Sequence, residues 1–151
     1  MEKLDAYLRE EGADYRLYHH EETFKSAAEG AKLFGISMSQ TTPTLILKAK
    51  DRFYAAIICG NTRISFKKLK EALNLPDITM EDPQTVLKLT GANIGEVGLI
   101  NEGMTTLIDR EVLKNPDCYG GCGVPKATLR INTADLIRIT KGEVLEFTDP
   151  R

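Results

Sequence analysis

Residues 35–60 constrain the fold of this chain more than any other segment. Gly35 ends a helical pattern, and the polar run Ser37-Met38-Ser39-Gln40-Thr41-Thr42-Pro43-Thr44 then leads into two apolar segments. Thr44 to Ala49 alternates Leu45, Leu47 and Ala49 against Thr44, Ile46 and Lys48, which is the period of a strand. Phe53 to Cys59 is continuously apolar, as expected of a strand covered on both faces. The polar Lys50-Asp51-Arg52 between them predicts a hairpin, with Pro43 at the mouth of its first strand.

The remaining elements follow from local signals. Leu4, Tyr7 and Leu8 share one face of a first helix that stops at Gly12, and Tyr15 to Tyr18 reads as a short strand. Ser26-Ala27-Ala28-Glu29 is a capping box that starts a helix running to Gly35. Ser65 caps a helix carrying Phe66, Leu69 and Leu73, and Asp82-Pro83 opens another that closes at Thr90-Gly91. Strands are predicted over Thr105 to Ile108, Ala127 to Ile131 and Val144 to Phe147, with a helix capped by Asn132 or Thr133 before the last. About six strands interspersed with short helices predict a mixed sheet in one domain over residues 1–151, too irregular in order for a doubly wound dinucleotide fold.

Composition narrows the function classes. With 42% hydrophobic and 28% charged residues, the chain has the make-up of a soluble globular protein. It holds no run of about 20 apolar residues, and Met1-Glu2-Lys3-Leu4-Asp5 has no signal pattern, so no membrane contact and a cytoplasmic location are expected. A net charge of -2 argues against binding DNA or any phosphate backbone through bulk charge, although Arg63, Lys67, Lys68 and Lys70 form a local basic cluster that is either a solvated face or a phosphate contact. Cys118 and Cys122 flank Tyr119-Gly120-Gly121 with a spacing that is not C-x-x-C, and Cys59 ends an apolar strand, so reduced, structural thiols and no metal are expected.

Two glycine-rich stretches could carry chemistry. Gly91-Ala92-Asn93-Ile94-Gly95-Glu96-Val97-Gly98 and Gly120-Gly121-Cys122-Gly123 either turn the chain or let backbone amides face a ligand, and neither fits a phosphate-binding motif. His19 and His20 point to opposite faces if extended, so they cannot readily share a metal, and at most one lines a cleft. No serine sits in a nucleophile elbow and no cysteine has an evident histidine partner.

The order of segments goes further. Leu33-Phe34-Gly35-Ile36 with Gln40, Thr44-Leu45-Ile46-Leu47, Gly60 before Phe66-Lys67-Lys68-Leu69-Lys70-Glu71-Ala72-Leu73, Met80-Glu81-Asp82-Pro83, Thr90-Gly91 with Gly95, Leu107-Ile108-Asp109, and Gly120-Gly121 ahead of Asp135-Leu136 occur in sequence. Together they resemble the YbaK/aminoacyl-tRNA synthetase-associated editing family, which includes free-standing deacylases and the editing domain inserted in many bacterial prolyl-tRNA synthetases. The resemblance implies an α+β fold with a curved, barrel-like mixed sheet of about six or seven strands flanked by short helices. It also implies hydrolysis, without a cofactor, of the ester joining a small wrong amino acid such as alanine or cysteine to a tRNA acceptor end. The partners it implies are aminoacyl-tRNA, on a proline tRNA, and a synthetase.

On this resemblance the catalytic donors are the backbone amides of Gly95, Gly98 and Leu99, with the Thr128 hydroxyl beside them. The substrate-binding positions are Tyr18, Ser26, Thr44, Gly60 and Gly121. Ser26 is also the helix cap. Related proteins carry an important lysine directly before the Thr-Leu pair, where this chain has Pro43, and Lys48 lies at an odd offset that sends it to the other face. Leu99 likewise replaces a proline common four residues after Gly95. Two functions are compatible with this pattern: a trans-acting deacylase, and a weakened relative that binds the aminoacyl group, the tRNA end or a synthetase without hydrolysis. An unrelated small-molecule binding domain that shares only the fold is a third.

Overall fold

The structure is a computed structural model that describes residues 1–24 and 26–151. Five α-helices and ten strands are found among the described residues. The helices are α1 (Glu2–Glu10), α2 (Ala27–Phe34), α3 (Phe66–Leu73), α4 (Pro83–Thr90) and α5 (Thr133–Thr140). The strands are β1 (Tyr15–His19), β2 (Thr44–Ala49), β3 (Arg52–Ile57), β4 (Thr62–Ile64), β5 (Thr79–Met80), β6 (Thr105–Asp109), β7 (Asp117–Gly120), β8 (Ala127–Asn132), β9 (Glu143–Leu145) and β10 (Thr148–Pro150). The fold is α+β with a mixed sheet, as expected. Ten strands replace the expected six or seven because β4, β5, β9 and β10 are only two or three residues long, and the sheets do not close into a barrel.

The largest sheet has the order β5-β2-β3-β6-β9. The β2–β3 hairpin is antiparallel from Thr44↔Ile57 to Ala49↔Arg52, whereas β3–β6 and β6–β9 are parallel. Continuous burial follows: Ala55, Ala56 and Ile57 are fully enclosed because β3 is central and covered on both faces. A second sheet, β1-β8-β7, is antiparallel and sets Tyr18 opposite Thr128 and Tyr119 opposite Arg130. Arg130 on β8 ties the sheet's two outer strands together by reaching Asp14, just before β1, at 3.0 Å and Asp117, at the start of β7, at 3.1 Å. The third pairing joins β10 to β4.

Helix ends obey their local chemistry. Ser26, Ser65, Asp82 and Asn132 each accept the backbone amide three residues on, so one orphan donor per helix is satisfied. Gly35 and Gly91 take the left-handed conformation that closes α2 and α4. Leu8, Ile57, Leu99, Ile108, Leu129, Ile131 and Leu136 form one apolar cluster between the two larger sheets, and Leu47, Leu69, Leu107 and Phe147 form another.

The predicted strand over Val144 to Phe147 is split. Asp109, only 1% exposed, accepts the Phe147 amide at 2.9 Å and the Thr148 hydroxyl at 2.9 Å, pulling the chain out of β9 and into β10. Its second oxygen also accepts the Glu111 amide at 3.1 Å, so a buried carboxylate organises three segments.

Candidate active site

Close packing of glycine against backbone builds the site. Gly98 and Gly121 bridge in parallel, and the Leu99 amide donates to the Gly121 carbonyl at 3.0 Å. A Cβ on Gly121 would run into the Val97 carbonyl oxygen and lie 3.1 Å from the Glu96 oxygen, and one on Gly120 would lie 2.7 Å from the Leu99 side chain. The two glycine stretches are therefore zipped together rather than left as separate loops. Gly95 differs: its φ of +92° requires glycine, but no atom lies near its absent Cβ.

Beside this seam lies a cavity of about 330 Å³, between α2, the Thr41–Pro43 segment, the Ile94–Glu96 turn and the chain from Val124 to Thr128. Aromatic rings form its wall. Phe34 meets Tyr18 edge-on at 5.1 Å and Tyr119 at 5.5 Å, while Phe24 stacks on His20 with centroids 4.5 Å apart. Burial raises the Tyr119 phenol above its ordinary range, reinforced by nearby Tyr18, so it remains a neutral hydroxyl.

Thr128 lines the cavity and is 7% exposed, and its Oγ1 lies 3.0 Å from His20 Nε2. His20 Nδ1 lies 2.6 Å from the Glu22 carbonyl oxygen, and the His20 amide donates to the Lys126 carbonyl at 3.0 Å. Among the described residues that line the cavity, Lys126 supplies the one ammonium and Glu96 the one carboxylate. Lys126 is exposed and takes a left-handed φ of 59°.

Five of the positions that the family resemblance assigns line this cavity: Ser26, Pro43, Gly95, Gly121 and Thr128. Ser26 also caps α2, its Oγ accepting the Glu29 amide at 3.4 Å. Tyr18 stands behind the wall, against Phe34. Gly60 sits further back, where a Cβ would come within 2.8 Å of the Ala27 Cβ and 3.0 Å of the Met38 carbonyl oxygen, so this glycine lets the chain after β3 close on the start of α2 and on the Met38–Gln40 turn. Thr44 is 6% exposed and its Oγ1 has no partner among the described residues, but it lies outside the cavity lining. Leu99 is fully buried in the core and its amide is engaged by Gly121, so it is not a free donor facing a ligand. Gly98 is buried in the seam next to it.

His20 is the histidine that lines the cleft, while His19 is exposed. Phe24, Tyr119 and Lys126 also line the cavity, and no local motif marks them as site residues. Only the β1–β8 register, with Tyr18 opposite Thr128, brings the His20 segment to Thr128. Among the described residues, no group of three or more His, Cys, Asp or Glu is placed to hold a metal, and no helix is long and apolar enough to cross a membrane. The three cysteines are unpaired: Cys59 and Cys118 are buried and Cys122 is half-buried.

Comparison with known proteins agrees with this architecture. Residues 20–139 match the aminoacyl-tRNA editing domain model. The proline–tRNA ligase of Caldicellulosiruptor bescii is 30% identical over 129 residues, covering 84% of this chain and 21% of the ligase. That of Streptococcus sanguinis is 31% identical over 133 residues, covering 80% of this chain and 21% of the ligase. The chain thus spans about a fifth of the length of these curated relatives. Among solved structures, a hypothetical protein superposes with a TM-score of 0.90 at 27% identity, covering 97% of this chain and 99% of that one. A protein described as a candidate trans-editing enzyme for prolyl tRNA synthetase superposes with a TM-score of 0.86 at 21% identity, covering 98% and 96%, which is a likeness of fold. With four-fifths or more of its length aligned and the site-bearing segments inside the match, the chain belongs to the aminoacyl-tRNA editing domain family.

Proposed function

We propose that this chain is a trans-acting deacylase that hydrolyses the ester between a small amino acid, alanine or cysteine, and the terminal ribose of a mischarged proline tRNA. One observation carries the reading: in a chain of the editing family, the cavity is small and lined by aromatic rings together with hydroxyl side chains such as Thr128. Its volume of about 330 Å³ lies at the low end for ligand sites, about 300–1,000 Å³, and suits a small acyl group with the edge of a ribose.

In this reading the acyl side chain lies against Phe24, Phe34 and Ile36, with Thr128 also lining the cavity. A water adds to the ester carbon, the oxyanion is met by the backbone amide of Gly95, which lines the cavity, and the ribose oxygen leaves with a proton. Lys126, at the rim, faces the approaching phosphates of the acceptor end. A synthetase that delivers the tRNA is the second partner proposed.

A binding function without hydrolysis is the other reading. It is favoured by Pro43, which brings neither a cation nor a backbone donor to the cavity, and by the engagement of the Leu99 amide. Incubating the protein with a panel of charged tRNAs, including alanyl- and cysteinyl-tRNA specific for proline, separates the two. Accelerated ester loss supports the deacylase, and retention of charged tRNA on a filter with its ester intact supports the binder.

A further inference from the structure

We infer that His20 is a positioning residue that makes the Thr128 hydroxyl a hydrogen-bond acceptor toward the cavity, matched to the α-ammonium of the bound acyl group. The inference rests on the aminoacyl reading above for the identity of the ligand, but its geometry is independent of hydrolysis.

The Glu22 carbonyl can only accept, so the 2.6 Å contact requires the proton on His20 Nδ1. A neutral imidazole carries one proton, which leaves Nε2 bare. The Thr128 hydroxyl, 3.0 Å away, must then donate to Nε2, and its lone pairs are left to face the cavity that Thr128 lines. Two constraints hold the ring in this role. Phe24 stacks on it with an interplanar angle of 28°, and Phe34 meets its edge at 6.3 Å.

The result is a neutral acceptor in an aromatic-lined pocket. An ammonium donor satisfies it, and the aromatic rings of Phe34 and Tyr119 that line the cavity favour a cation over a neutral group. A group that lacks a donor keeps the bond to His20 but leaves the cavity-side lone pairs of Oγ1 unmatched, which disfavours it. Discrimination between an aminoacyl and a plain acyl group follows from one tautomer.

Two measurements on the full chain test this. Long-range proton–nitrogen NMR of the neutral His20 ring should show Nδ1 protonated and Nε2 bare; the opposite tautomer overturns the inference. Binding of alaninamide against propionamide, which differ in the amine and hold no ester, should favour alaninamide by about tenfold or more. His20→Phe keeps a ring on Phe24, and with Thr128→Val it should reduce that preference to about twofold, the double variant losing no more than either single. Equal binding of the two amides by the wild type, or an undiminished preference in His20→Phe, also overturns it. Absence of ester loss from charged tRNA would remove the deacylase reading while leaving both of these readouts to decide the role of His20.

Discussion

Replacing Gly121 by alanine drives a methyl group into the Val97 carbonyl and to 3.1 Å from the Glu96 oxygen, atoms of backbone that cannot rotate aside. The seam must open, and the Leu99 amide loses its acceptor at 3.0 Å. Overpacking of this kind costs about 1–3 kcal/mol and the lost hydrogen bond about 0.5–1.5 kcal/mol, so Gly121→Ala should destabilise by about 2–4 kcal/mol. Gly95→Ala is the internal control. Its φ of +92° is unfavourable for alanine but nothing lies near the new methyl, which leaves backbone strain of about 1–2 kcal/mol. Equilibrium urea unfolding reads both. With a slope of about 2 kcal/mol per molar, the midpoint should fall by about 1–2 M for Gly121→Ala and by less than about 1 M for Gly95→Ala. A Gly121→Ala midpoint equal to or above that of Gly95→Ala would refute the packed seam and restore the picture of two free loops.

Other consequences concern the core, the thiols and the cavity mouth. Asp109→Asn keeps the size but removes an acceptor from the set held by Phe147, Thr148 and Glu111, and should lower stability by about 1–3 kcal/mol in the same urea assay; an unchanged midpoint would refute the hub. Burial pushes the Cys59 thiol up to about 12, with nearby Asp109 adding, and pushes Cys118 up to about 11. A thiol held above its ordinary range stays protonated below that value, so iodoacetamide near pH 8 should alkylate half-buried Cys122 first, as mass spectrometry would show. Labelling of Cys59 or Cys118 as fast as Cys122 would contradict their enclosure. For the same reason their contribution to stability is full below the ordinary thiol range and is lost as pH rises toward these values. Pro43→Lys places a cation at the cavity lining without needing the missing backbone donor, and should raise kcat/KM for ester hydrolysis about tenfold or more; an unchanged rate would show that the mouth does not use one.

The fold was legible wherever the signal is local. Caps at Ser26, Ser65, Asp82 and Asn132 write helix starts directly into the sequence, and the alternation of Leu45, Leu47 and Ala49 with the apolar run after Phe53 writes the hairpin. The short strands were not legible, because Thr62–Ile64 is a strand only through Thr148–Pro150, and Asp117–Gly120 only through β8. The site divides in the same way. Ser26, Pro43, Gly95, Gly121 and Thr128 converge on one cavity, whereas Leu99 was misjudged because an amide's availability depends on a carbonyl 22 residues away in sequence, at Gly121. His20 was visible as a residue but not as a partner of Thr128, since their contact spans 108 residues and exists only in the β1–β8 register.

Hydrolysis of small aminoacyl esters on tRNA is the reaction proposed for this cavity. Its most direct test is the rate of ester loss from alanyl-tRNA specific for proline, with and without the purified chain, set beside correctly charged prolyl-tRNA. Faster loss of alanine is expected, largely abolished by Thr128→Val, with prolyl-tRNA left nearly untouched. Ester loss no faster than in buffer, for alanyl-, cysteinyl- and every other charged tRNA in the panel, would contradict it.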